Sequence, residues 1–304
     1  MTRPSPRPSP PRLPLLLSLL ALAAGTAACA STGGRDGEGF GPWGDWSQVA
    51  GNGRLTDRTA ELSGDFDRVE AGLPIDVVVE EGAEARVEVR VDEDLQELVR
   101  VEVRGGTLHL TTRKPLRAAR GARVRVVAPR LVGVDAAGTG EVEVAPRAEA
   151  VEAFELALSG TGDVRAEADA ERLHLSLSGT GNLLHTGRAT VLEASLSGTG
   201  DLSFQGRARE VRLSLSGTGD VRAAGEGTAE RLVVDLSGTG NVDARALPAR
   251  DVRVDSSGPG NTRVQLAGGT ARLTASGPGD IEYWGEAERL QTHDDGPGQV
   301  RARR

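Results

Sequence analysis

The chain has 304 residues, of which 38% are apolar, 3% are aromatic and 41 are glycine. A single lysine, Lys114, stands among 36 basic residues, and the formal net charge is −8. This balance excludes a sequence-independent nucleic-acid binder, which needs a basic face to displace counterions. The aromatic content leaves room only for a thin core of Ala, Val and Leu. One cysteine excludes an intrachain disulfide framework and a zinc cluster of thiolates.

Residues 1–28 read as an export signal. Arg3, Arg7 and Arg12 precede an apolar run from Leu13 to Ala24, too short for the ~20 residues a bilayer span takes. Small residues lead to Cys29 in Thr26-Ala27-Ala28-Cys29. This resembles a bacterial lipoprotein signal, with Thr26 where such signals usually carry an aliphatic residue. It makes Cys29 the expected lipidation site and the membrane the first partner. The alternative is an ordinary secretory signal cleaved near Ala28. Removing residues 1–28 deletes three positive charges and no negative ones, so the mature charge is −8 − 3 = −11. Ala30 rather than Asp follows the cysteine, which favours the outer membrane by general bacterial sorting rules. Residues 29–58 are glycine-rich without apolar period and read as a tether, with Trp43 and Trp46 as exceptions to its composition.

Residues 59–130 alternate apolar and polar positions without repeating. Val77 and Val79, Val87 to Val91, Val101 and Val103, Leu108 and Leu110, and Val124 and Val126 mark strands, because period-two alternation places one face in a core. They are expected to cap the segment that follows, since an unsealed stack of strands invites aggregation.

Residues 131–304 are an internal repeat. A Gly-Thr-Gly-Asp unit or close variant begins at Gly138, Gly160, Gly179, Gly198, Gly217, Gly238, Gly258, Gly277 and Gly296. The period is near 20 residues, and strands flank each unit, as in Leu173, Leu175 and Leu177 before the unit at Gly179 and Leu202 and Phe204 after the unit at Gly198. Such a period signifies a solenoid. The expected fold is all-β: a parallel β-helix of about nine coils with an N-terminal β-strand cap. Strands stacked at ~4.8 Å make a rod of roughly 40 Å. Pro259, Pro278 and Pro297 replace the threonine in the last three units. Proline favours the second position of a type II turn with glycine third. The expectation is therefore a positive φ at the second glycine, Gly162, Gly181 and Gly200 included, and no ladder bond from the threonine N–H.

The opening Phe66-Asp67-Arg68-Val69 through Ile75-Asp76-Val77, the Gly105-Gly106-Thr107-Leu108 turn, the Ser-Gly-Thr-Gly-Asp coils and Tyr283-Trp284-Gly285 resemble the head GIN domain family of bacterial envelope proteins, which carries an adhesin label. The resemblance covers roughly residues 59–301. It implies a secreted or lipid-anchored β-solenoid and brings no catalytic residue with it.

Two ladders are candidate ligand surfaces. Asp163, Asn182, Asp201, Asp220, Asn241, Asn261 and Asp280 follow successive Gly units. A row of carboxylates could collect Ca²⁺, but the amides dilute the charge and Asp and Asn commonly cap turns, so no metal or cofactor is expected. Ser178, Ser197 and Ser216, with equivalents from Ser159 to Ser276, form a hydroxyl strip suited to sugars or ordered water, or simply to solvation. An enzyme is not expected. Carbohydrate-active β-helices cluster acids, bases and aromatic platforms in a cleft, whereas His109, His174, His185 and His293 fall in no common column. The expected role is a non-enzymatic, lipid-anchored envelope rod for adhesion or structural contact with a glycan or envelope protein, and not with nucleic acid. A sensor or scaffold binding a protein through the N-terminal strands is the alternative, and a carbohydrate-active enzyme the third.

Overall fold

The computed structural model describes residues 48–145 and 150–304. The signal segment, Cys29 and most of the tether lie outside the described residues; the end of the stretch read as tether is instead part of the cap, with strands at Val49–Ala50 and Leu55–Thr59 paired to Leu116–Arg117 and Arg86–Asp92. Apart from one 3₁₀ turn at Glu93–Leu95, the regular elements are all β-strands.

The repeat folds as a two-sheet solenoid. Each coil is a strand, a tight corner and a second strand. The first strands stack in parallel into one sheet and the second strands into another. Coil 1 consists of Arg68–Ala71 and Asp76–Glu81, which lies inside the stretch read from sequence as the cap. Coil 2 is Gly133–Ala136 with Val142–Val144, which pair in register on the strands of coil 1. Coil 3 is Val151–Leu158 with Val164–Glu167, and coil 4 begins at Ala170–Leu177. Leu183–Leu196, Leu202–Leu215 and Val242–Ser256 each run through the opposite corner, serving one coil with their first half and the next with their second. Coil 9 is Thr270–Ala275 with Ile281–Glu286, and coil 10 is Arg289–Asp294 with Val300–Ala302. Nine coils carry the Gly-x-Gly corner among the described residues, and coil 1 has Gly72-Leu73-Pro74-Ile75 there.

Identical coil length keeps equivalent residues stacked. In the first sheet Val134, Leu156, Leu175, Ala194, Leu213 and Val234 form one inward column. In the second, Val142, Val164, Leu183, Leu202 and Val221 form another. All of these are buried, and each aliphatic side chain removed from water contributes ~1.5–3 kcal/mol. The two columns face each other across a width that Ala, Val and Leu fill, so the low aromatic content suits the fold.

The corner departs from the sequence-based expectation. Gly162, Gly181 and Gly200 are absent from the glycines with positive φ, so a type II turn is not formed. The threonine N–H does bond. Thr161 N donates to Gly138 O at 3.0 Å, Thr180 N to Gly160 O at 3.1 Å and Thr199 N to Gly179 O at 3.1 Å. The glycines are required instead by close approach of successive corners. A Cβ on Gly181 would overlap the Gly162 carbonyl, and one on Gly179 the Gly160 carbonyl. Proline is tolerated because the bond moves along by one residue: Gly279 N donates to Gly258 O at 3.1 Å and Gly298 N to Gly277 O at 3.0 Å.

The N-terminal end is closed by strands of mixed direction. Thr107–Thr112 and Arg123–Ala128 lie parallel on coil 1. Arg86–Asp92 then pairs antiparallel with Arg123–Ala128, Leu55–Thr59 with Arg86–Asp92, and Val99–Arg104 with Thr107–Thr112. Asp92, fully buried, fastens this end. Its carboxylate accepts Gly53 N–H at 2.6 Å and Ala119 N–H at 2.8 Å.

Candidate functional surface

The residue after each corner heads the second strand, so its side chain lies beside its counterpart in the next coil. Asp163 Oδ1 accepts the backbone N–H of Asn182 at 2.9 Å, and Asn182 Oδ1 that of Asp201 at 3.2 Å. Asp201 passes the pattern to Asp220 at 3.0 Å, and Asp220 to Asn241 at 2.9 Å. Asn241 reaches Asn261 at 3.0 Å, Asn261 reaches Asp280 at 2.9 Å, and Asp280 reaches Gln299 at 2.9 Å. The backbone carbonyls run the other way, with Leu183 N donating to Asp201 O and Leu202 N to Asp220 O, both at 2.9 Å. Asp or Asn is suited here because either supplies a short side-chain oxygen at the height of the next coil's amide.

The second carboxylate oxygens of Asp201, Asp220 and Asp280 meet arginines. Arg222 spans Asp201 Oδ2 at 2.9 Å and Asp220 Oδ2 at 2.6 Å, and Arg301 reaches Asp280 Oδ2 at 3.1 Å. Burial acts to raise the Asp201 carboxyl. The Asp220 N–H and the Arg222 guanidinium outweigh it and hold the group below the ordinary carboxylate range. Similar pairing joins Glu282 to Arg263 at 3.1 Å and to Arg303, and Arg303 first and Arg263 second lower its pKa. Most oxygens of this ladder thus meet backbone amides and guanidinium groups. They do not converge in threes on a point where a divalent cation would sit, and no group of three or more His, Cys, Asp or Glu able to hold a metal occurs among the described residues.

The serines stand on the other side of the corner. Ser178, Ser197 and Ser216 are exposed, as are their equivalents Ser159, Ser237, Ser257 and Ser276. The column two residues earlier reads Ser176, Ser195, Ser214, Asp235, Asp255 and Thr274, all in register. Between the two columns runs a shallow groove of about 350 Å³ along the rod. Hydroxyl rungs repeat at the strand spacing of ~4.8 Å. Asp255 is paired with Arg253 at 2.6 Å. The surface is therefore flat, polar and periodic.

The histidines serve separate purposes. His109 lies 2.8 Å from Glu70, His174 lies 3.9 Å from Glu193 and His293 lies 3.1 Å from Asp295. His109 and His293 do share one column, at opposite ends of the rod. His185 is fully buried and stacked on Phe204, with ring centroids 5.9 Å apart. Burial lowers its pKa to about 4, against weaker opposing pulls from Asp169 and the Ala168 backbone.

Sequence reasoning missed that the Asp/Asn row is directed at the next coil's backbone rather than at its own turn. The available signal was the presence of glycine at both the first and third positions of every unit. A turn needing one positive φ asks for one glycine, whereas stacked backbones ask for both.

The family model described as "Putative auto-transporter adhesin, head GIN domain" matches residues 65–224 and, overlapping, 189–287. The chain belongs to the head GIN domain family. Solved structures share the fold. An adhesin-titled protein of Parabacteroides merdae superposes with TM-score 0.62 at 19% identity, covering 84% of this chain and 99% of that one. A protein of Parabacteroides distasonis titled as lipid binding gives 0.60 at 19% identity, over 84% and 100%. An adhesin-titled protein of Bacteroides fragilis gives 0.57 at 17% identity, over 84% and 100%. No curated protein matches the chain. The head GIN domain here is accordingly an adhesin-like β-solenoid.

Proposed function

We propose that this head GIN protein is a non-enzymatic, lipid-anchored protein of the bacterial envelope that uses its solenoid as a rigid adhesive rod. Family membership supports an envelope or surface location. Cys29 is the anchor in this reading, and the signal of residues 1–28 directs export. Contact is made through the serine strip, because its hydroxyls are exposed and in register while the neighbouring Asp and Asn oxygens are engaged by the backbone. Each rung contributes little, and affinity arises from many rungs engaged together. The partner is an extended polar polymer, a glycan before a protein, since hydroxyls and two carboxylates line the groove.

Binding of the purified chain to an array of glycans and envelope components, with and without Ca²⁺, tests this. The expected result is selective, Ca²⁺-independent binding that falls when Ser197, Ser216 and Ser237 are together replaced by lysine. Binding that is unaffected by this triple replacement would contradict the reading.

A further inference from the structure

The two ends of the rod are chemically unlike. At the N-terminal end, side chains meet a carbonyl on each of the two outer strands. Gln96 Nε2 donates to Thr56 O at 2.7 Å, and Arg58 Nη2 donates to Val99 O at 3.2 Å. At the other end, Arg289–Asp294 pairs only with Thr270–Ala275, and Val300–Ala302 only with Ile281–Tyr283, among the described residues. Arg289 N–H and Asp295 N–H both bond back to coil 9. A parallel strand alternates the direction of its backbone groups, so those of Leu290, Thr292 and Asp294 face outward from the rod's end. Asp294 Oδ1 accepts Val300 N–H at 3.2 Å, standing in for the carbonyl that a further coil would supply to that one amide. The inward column is also uncovered. Leu290 continues the column of the fully buried Ala271, yet it is 42% exposed, the large apolar side chain most open to solvent among the described residues.

We propose that coil 10 pairs with coil 10 of a second copy, end to end about a two-fold axis. An open edge of this kind adds strands. A head-to-tail partner would have to use the N-terminal edges, where Gln96 and Arg58 already hold the Thr56 and Val99 carbonyls, which favours the open end meeting its own like in an isologous contact. The strand is self-complementary in charge when reversed. It begins with Arg289 and ends in Asp294-Asp295, so an antiparallel copy centred on Thr292 sets Arg289 opposite the partner's Asp295. The same register keeps inward positions opposite inward positions, with Leu290 beside the partner's Asp294, whose Oδ1 is already held by Val300 N–H, and makes Thr292 its own neighbour, a favourable cross-strand pair. The contact spans a single coil, below the ~800 Å² per partner of a stable interface, so the pairing is weak and concentration-dependent. It does not rest on the serine strip.

Thr292→Cys in the full chain tests it. Residues directly opposite in such a pair have Cα atoms about 5.5 Å apart, within the range a disulfide bridges. Mild oxidation is expected to yield a covalent species of twice the chain mass, absent from the unaltered chain with its own Cys29 and from the mid-rod variant Ser195→Cys. Adding Leu290→Lys to Thr292→Cys is expected to remove that species while the thermal melt stays cooperative. Equal dimer from Thr292→Cys and Ser195→Cys, or cross-linking of Thr292→Cys to a species of another mass, overturns the proposal.

Discussion

Gly181 shows how one atom decides the fold locally. Its φ is not one that demands glycine, but a Cβ would overlap the Gly162 carbonyl one coil below. Gly181→Ala must therefore push two coils apart at the corner. Chemical denaturation is expected to show a loss of about 3 kcal/mol or more, whereas Thr180→Ala at the exposed neighbouring position stays within about 0.5 kcal/mol of the parent. His185 gives a second test. Its folded-state pKa of about 4 lies below its ordinary 6.5, so between these values the unfolded chain takes up a proton that the folded chain refuses. Stability falls as pH drops from about 6.5 to 4 and is flat on either side. The difference amounts to about 3 kcal/mol. His185→Leu is expected to remove this slope in denaturation measured at pH 7, 5.5 and 4.5. An unchanged slope would contradict this assignment, because the carboxylates that arginines hold below their ordinary 3.8 and 4.5, such as Asp201 and Glu282, act at lower pH. Those lose their contribution as pH falls through their own lower pKa values.

At the scale of strands and corners, alternation and period were legible from the residues. Leu173, Leu175 and Leu177 alternate with polar neighbours, and the unit returns every 19 residues or so, which is sufficient for strands that stack in register. The corner was misread because Pro259 suggested a turn type, while the constraint on its glycines is contact between coils. A local motif does not display a neighbour 19 residues away. The cap was only half legible for the same reason. Its alternating valines declare strands, but the antiparallel order of Leu55–Thr59, Arg86–Asp92 and Arg123–Ala128 depends on long-range pairing. Nothing in the sequence near Asp92 announces that its carboxylate ties Gly53 to Ala119. Asp92→Ala removes two charge-assisted hydrogen bonds, each worth ~1.5–3 kcal/mol. Hydrogen exchange is expected to quicken in residues 50–59 and 116–120 while the amides of coils 4–8 keep their protection. Uniform loss of protection along the rod would show that the cap and coils open as one unit.

At the scale of the whole molecule, a solenoid turns one coil's chemistry into a surface. The Asp and Asn of each coil hold the next coil in register, and the serines beside them are left facing water at the strand spacing. The candidate ladders were visible in the sequence as residues, but not their division of labour, because side-chain direction at a corner follows from the corner's geometry. Two adjacent rows of polar residues with the same period thus differ in their bonding: the Asp and Asn oxygens take the next coil's amides, while the serines are exposed, a few of them, such as Ser257, also reaching a backbone carbonyl. The most direct test of this account is the affinity of the purified chain for one array-selected glycan, measured as Ser197, Ser216, Ser237 and Ser257 are replaced by lysine one after another. The account predicts that the logarithm of the affinity falls in roughly equal steps, about 0.5–1.5 kcal/mol per rung, with the melting temperature unchanged. An affinity indifferent to all four replacements would contradict it.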